Sequence, residues 1–132
     1  MAETGRALPQ PTPETQHFWD GTKAGELRLQ RCNGCGHVYF PPRPFCPSCG
    51  SRHVSVIKAT GKAVLWSYVI HHRPVPGFKP PYAIAVVQLA EGVKMMTNIV
   101  NCDPNSVKIG MAVKVVFLPT EGGPPMPFFE PA

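Results

Sequence analysis

The stretch Cys32-Asn33-Gly34-Cys35-Gly36 is followed, ten residues on, by Cys46-Pro47-Ser48-Cys49-Gly50. Four of the five cysteines stand there as two Cys-x-x-Cys pairs. A two-residue spacer lets both thiolates of a pair face one point while the backbone turns beneath them. Two such pairs supply the four sulfur ligands of a closed tetrahedral Zn²⁺ site. Gly36 and Gly50 each follow the second cysteine of a pair. A knuckle needs a left-handed residue near there if backbone N–H groups are to point at the sulfurs, and glycine takes that conformation without strain. The reading is one structural zinc held by Cys32, Cys35, Cys46 and Cys49. Such a site has no open position, so no catalysis is expected at the metal.

Three other uses of these cysteines fit less well. Disulfides need an oxidising compartment, and the first twenty residues are polar and Pro-rich, without the apolar segment of a signal peptide. A redox pair accounts for one Cys-x-x-Cys, not two. Iron of the rubredoxin kind takes the same four ligands and stays open on sequence grounds.

The chain of 132 residues suffices for one ordinary domain or two small ones. Its hydrophobic share of 43% supports a folded core, and its charged share of 16% is below the usual quarter. Low charge points away from disorder and toward surface covered by partners. No apolar run approaches the ~20 residues of a membrane helix. The expectation is a soluble, cytoplasmic protein. The formal charge of +5 falls to +3 once zinc is held by four thiolates, which is no nucleic-acid signature by itself. The 17 prolines cluster at 9–13, 41–47, 74–81 and 124–131 and mark rigid loops.

Residues 1–11 read as a mobile arm. Thr12-Pro13-Glu14 reads as a helix start, with Thr12 as N-cap, Pro13 at the first helical position and the helix running to about Ala24. Phe18 and Trp19 are adjacent and so point about 100° apart; either one packs on the ribbon with the other half exposed, or the pair forms a docking face. Leu27-Arg28-Leu29-Gln30-Arg31 alternates as a half-buried strand, and His37-Val38-Tyr39-Phe40 is its return. His37 and His53 read as surface residues beside the knuckles, not ligands.

From Val54 the sequence turns β-rich. Strands are expected near 54–58, 61–71, 82–90, 93–101 and 112–118, with Glu91-Gly92 as a hairpin turn. Five short strands without room for crossover helices suggest a Greek-key OB barrel. The fold class is therefore mainly β: an N-terminal helix, a rubredoxin-like zinc ribbon and a C-terminal five-stranded OB-fold barrel. The expected division is arm and helix at 1–26, ribbon at 27–57, barrel at 58–121 and a Pro/Phe-rich tail at 122–132, either frayed or pinned by its aromatics.

The loop from His71 to Tyr82 holds four prolines within eight residues, Pro74, Pro76, Pro80 and Pro81, which keep it extended. It presents Phe78 and Tyr82 beside His72, Arg73 and Lys79. A loop so restricted loses little entropy on binding, and it reads as a recognition loop, with its cations near an anionic ligand; the plainer reading is a rigid hairpin closing one barrel end. His71 and His72 point to opposite strand faces, which disfavours a two-histidine metal site. Cys102 has no basic neighbour and reads as structural filler. Of Met95 and Met96, one faces the core and the other is a candidate contact surface. There is no Gly-rich phosphate loop, no Gly-x-Ser-x-Gly elbow and no flanking carboxylate pair, so no active site of its own is expected.

The order of parts carries a likeness. Phe18-Trp19-Asp20-Gly21 leads into the first cysteine pair, Pro42-Arg43-Pro44 into the second. Gly61-Lys62-Ala63-Val64-Leu65-Trp66-Ser67-Tyr68, then Pro74-Val75-Pro76-Gly77-Phe78, then Thr97-Asn98-Ile99-Val100 follow. Over roughly residues 14–118 this resembles the zinc-ribbon plus OB-fold proteins of acyl-CoA metabolism, long catalogued as a domain of unknown function. The resemblance implies a small partner subunit of thiolase-fold enzymes, such as acyl-CoA thiolases and steroid side-chain aldolases. It implies docking on the enzyme dimer as a heterotetramer, with acyl-CoA at or near the interface. Two other functions stand beside it. One is a stand-alone acyl-CoA-binding protein. The other is a single-stranded nucleic-acid binder, which residues 59–132 support poorly, with six Lys/Arg against four Asp/Glu.

Overall fold

The computed structural model describes residues 8–132. The arm expected at 1–11 lies mostly outside them; Leu8 lies beside Gly123, where an added Cβ would sit 3.4 Å from Leu8 Cδ2.

The described residues make one helix, α1 (Gln16–Lys23), a short 3₁₀ turn (Pro104–Ser106) and eight strands. These are β1 (Arg28–Cys32), β2 (Val38–Tyr39), β3 (Val54–Lys58), β4 (Lys62–His71), β5 (Tyr82–Leu89), β6 (Lys94–Ile99), β7 (Ala112–Leu118) and β8 (Met126–Pro131). The helix begins later than the Thr12-Pro13 signal suggests. Thr15 N–H donates to Thr12 O (3.0 Å) and Thr12 N–H to Thr15 Oγ1 (2.9 Å), which closes residues 12–15 into a turn ahead of the helix. Its end is a Schellman cap: Glu26 N–H reaches Gly21 O (2.8 Å), Gly25 N–H reaches Thr22 O (3.2 Å), and Gly25 has φ +76°.

Strands β2, β1 and β3 form a three-stranded antiparallel ribbon sheet. The other five close a barrel in the order β4-β5-β6-β8-β7, with β7 returning to β4. Counted within the barrel this is 1-2-3-5-4-1, the strand order of an OB fold. Two strand assignments differ from the sequence reading. Residues 54–58 do form a strand, but it pairs with β1 in the ribbon. The fifth barrel strand comes from the tail set apart at 122–132: β8 pairs antiparallel with β7 from Val113–Pro131 to Leu118–Met126, and in parallel with β6 at Ile99–Phe129. The tail is thus an extended segment pinned by its aromatics.

The core follows from strand alternation. On β5, Ala83, Ala85, Val87 and Leu89 are buried and the residues between them are not. Leu65, Met95, Ile99, Val113 and Phe129 close the interior from the other strands. Leu65 pairs with Val87 and Ser67 with Val86, so Trp66 is the extra residue of a β-bulge. At the junction, Phe18 of α1 is buried, with Trp19 edge-on (centroids 4.9 Å, 86°) and Phe40 tilted at 5.2 Å. Leu27 and Leu29 join the same core, so helix, ribbon and barrel share one apolar interior.

Candidate functional site

The knuckles come first. Gly36 N–H donates to Cys32 O and Gly50 N–H to Cys46 O, both at 2.9 Å, with φ of +79° and +77° at the two glycines. These turns free Cys35 N–H to point at Cys32 Sγ (3.4 Å) and Ser48 N–H at Cys46 Sγ (3.3 Å). All four sulfurs lie within 4.8 Å of one another. The distances Cys32–Cys49 (3.6 Å) and Cys35–Cys46 (3.7 Å) match the sulfur separation of about 3.8 Å that a tetrahedron with Zn–S of ~2.3 Å requires.

As bare thiols the four are uneven. The Cys35 backbone N–H is the main cause that pulls the Cys32 thiol down to about 6. The His37 backbone N–H lowers Cys35, but burial and hydrogen bonds with the other three thiols win and push it up to about 12. Such a cluster is completed by a divalent cation, which keeps all four as thiolates. Cys32 and Cys46 are buried, whereas Cys35 and Cys49 are exposed. His37 stacks on Tyr39 (6.0 Å, 15°), and His53 is exposed. Neither belongs to the cluster.

The second feature is an apolar groove of about 560 Å³ between α1, the ribbon and the outer face of the barrel. Trp19 and Phe18 line the helix side, Pro41 and Pro42 the ribbon side, and Ile84, Met96 and Pro127 the barrel side. Phe78 and Tyr82 complete it from the loop. Their rings stack at 5.0 Å and 25°, and the His71 ring is tilted against Tyr82 at 5.0 Å and 60°. The loop is closed by a bridge between Val75 and Phe78, with Phe78 N–H on Val75 O (3.0 Å) and φ +82° at Gly77.

Of the loop residues singled out from sequence, the structure brings Phe78 and Tyr82 into the groove. His72, Arg73 and Lys79 are exposed and do not line it. His71 Nε2 is buried without a hydrogen-bond partner. Met95 is buried and Met96 is 72% exposed, in line with their alternation. Cys102 is half-buried against the core. Sequence reasoning missed Phe40, Pro41, Ile84 and Pro127 as groove residues. Each reads locally as a strand or turn residue, and only the packing of ribbon on barrel collects them. Among the described residues, no helix is long and apolar enough to cross a membrane.

The comparisons with known proteins agree with the cysteine cluster and with the ribbon-and-barrel fold. Residues 19–55 match the family described as the ChsH2 rubredoxin-like zinc ribbon domain. Residues 56–118 match that described as the ChsH2 C-terminal OB-fold domain. The four-sulfur cluster is accordingly the site of a structural zinc. A probable enoyl-CoA hydratase alpha subunit of Thermomonospora curvata is 38% identical over 117 residues, which is 87% of this chain but 37% of that protein. The chain thus spans little more than a third of that relative. A DUF35 domain-containing scaffold protein of Methanothermobacter thermautotrophicus is 40% identical over 94 residues, 69% of this chain and 71% of that protein. Among solved structures, a chain of the Ltp2-ChsH2(DUF35) aldolase superposes with a TM-score of 0.85 at 35% identity, covering 93% of this chain and 98% of that one. With ribbon, barrel and both family matches in register, the chain belongs to the ChsH2-type DUF35 family, a rubredoxin-like zinc ribbon joined to a C-terminal OB fold.

Proposed function

We propose that this chain is a non-catalytic partner subunit of a thiolase-fold enzyme acting on acyl-CoA thioesters in lipid, steroid or related metabolism. It docks on the enzyme dimer as a heterotetramer and helps shape the acyl-CoA site; the chemistry there is thiolysis or retro-aldol cleavage. The observation that carries this reading is the likeness, over nearly the full length of both chains, to a chain of the Ltp2-ChsH2(DUF35) aldolase. The groove supports it chemically. Among the described residues its lining holds no carboxylate, imidazole, amine or thiol; the hydroxyls there are those of Tyr82, Thr15 and Thr97. Such a surface binds and positions, but it has no acid–base pair or activated nucleophile with which to catalyse. In this reading Phe78 and Tyr82 make the contact, and His72, Arg73 and Lys79 lie at its margin.

The test is recovery of the tagged chain from its native host, with mass spectrometry of its partners and a zinc measurement. A stoichiometric thiolase-fold chain with one zinc per copy of this chain supports the reading. A stable monomer without a partner overturns it.

One observation favours a second reading, a stand-alone acyl-CoA-binding protein. The groove's volume lies in the range of small-molecule sites, and it sits at a junction between structural units, where such sites concentrate. Calorimetry of the isolated chain with long-chain acyl-CoA separates the two. Micromolar or tighter binding without a partner supports the second reading.

A further inference from the structure

Beyond the groove, the outward face of β4, β5 and β6 is apolar to a degree its strand alternation does not require. The registers place Val69 beside Ile84, Ser67 beside Val86, Val86 beside Met96, and Gln88 beside Lys94. Met96 is 72% exposed, Val69 59% and Trp66 50%. Met96 and Ile84 also line the groove, so face and groove form one continuous surface. A monomer seldom leaves so many large apolar side chains together in water. The Trp66 ring, turned outward by the bulge, is held by Lys94, whose Nζ lies 3.7 Å from the ring centre. A propped indole at the centre of an apolar patch has the character of an interface anchor.

The charges around this face have one sign. From Lys58 to Cys102 the chain carries five Lys/Arg and a single acid, Glu91. Glu91 is turned into its hairpin: one carboxylate oxygen accepts from Thr60 N–H (3.0 Å) and the other is buried. On the strands of the face the charged residues are Lys62 and Lys94. The acids Glu14 and Asp20 lie on the turn before α1 and on α1 itself, outside the groove lining, and Gln16 Nε2 donates to Asp20 (2.8 Å).

This pattern selects among occupants. A second copy laid face to face would set Lys94 and Lys62 against their own kind, which like-charge repulsion disfavours. A nucleic-acid strand needs a track of cations interleaved with stacking rings; this face offers Trp66 and, where it meets the groove, the Phe78–Tyr82 pair, but its strands carry Lys62 and Lys94 alone as cations. We propose that the β4–β6 face, continuous with the groove and anchored on Trp66, Met96 and Val69, docks an acid-rimmed apolar surface of the thiolase-fold subunit. The inference rests on the function proposed above and assigns the surface by which it is carried out.

The test uses the full chain and the thiolase-fold chain recovered with it. Met96→Glu, Val69→Glu and Lys94→Glu are compared with the wild type and with Val56→Glu, an exposed position on the ribbon strand β3. Zinc content and thermal midpoint verify that each variant is folded. The expected result is binding weakened about tenfold or more by each face variant and unchanged by Val56→Glu. For Lys94→Glu the association rate falls, and added salt relieves the loss. Face variants that bind like the wild type overturn the surface and leave the partner-subunit reading standing. A wild-type chain that binds no thiolase-fold enzyme overturns both. Salt-dependent quenching by a thymidine oligonucleotide that is lost in Trp66→Ala overturns the protein occupant in favour of a nucleic acid.

Discussion

Gly61 and Val115 meet where the barrel closes: Val115 N–H donates to Gly61 O at 2.8 Å, and a Cβ added to Gly61 would lie 2.7 Å from Val115 Cγ1. Gly61 also has φ +83°, a conformation that side chains resist. Close approach and left-handed backbone thus coincide at the entry to β4. Gly61→Ala is expected to cost about 2–4 kcal/mol. Urea denaturation measures it, and pairing the variant with Val115→Ala should return part of the loss.

Zinc holds a ribbon that has little else at its tip. Around the cysteines the buried apolar residues are Tyr39 and, half-buried, Val54. A chelator, or Cys32→Ser, is therefore expected to unfold the ribbon while the barrel strands persist. Amide hydrogen exchange would show protection lost across 30–55 and kept across β5. Acidification acts in the same direction, because protons compete with the metal for the thiolates. Zinc release measured by a chromophoric chelator should rise as pH falls.

Phe129 pins the tail into the barrel. It is fully buried, and its carbonyl accepts Val100 N–H at 2.8 Å. Phe129→Ala is expected to destabilise the protein by roughly 3–5 kcal/mol. Truncation after Pro125 removes β8 altogether and leaves β6 and β7 without the neighbour they share; loss of a cooperative thermal transition is the expected outcome.

His17 gives stability a pH dependence of known sign. Burial, then the Arg28 guanidinium, holds its pKa below the ordinary 6.5, and its Nε2 is buried without a partner. The folded state therefore resists a proton that the unfolded state accepts below pH 6.5. Stability from this group is complete above that value and is lost as pH falls through it. His17→Gln should flatten the stability profile between pH 7 and 5 relative to the wild type; chemical denaturation across that range measures the difference.

The ribbon was legible in the sequence because its ligands are local. Each cysteine pair and its glycine lie within five residues, so spacing alone dictates a knuckle and a four-thiolate metal site. The barrel strands were legible too, because alternation such as that of β5 records which side faces the core. Which strands pair with which was not. Residues 54–58 have the composition of a barrel strand but find β1, and a tail with Pro127 and Pro131 does not read as a strand, since proline lacks the donor a ladder uses. Partner choice is a long-range matter of closing the sheet and burying Phe129, and it leaves no local trace. The groove is of the same kind. Trp19, Pro41, Phe78, Ile84 and Pro127 are scattered along the chain and meet only because helix, ribbon and barrel share one core. The sequence by itself determined the metal site and the fold class; the tertiary structure decided the fifth strand, the groove and the face that Trp66 anchors, because each depends on segments that only packing brings together.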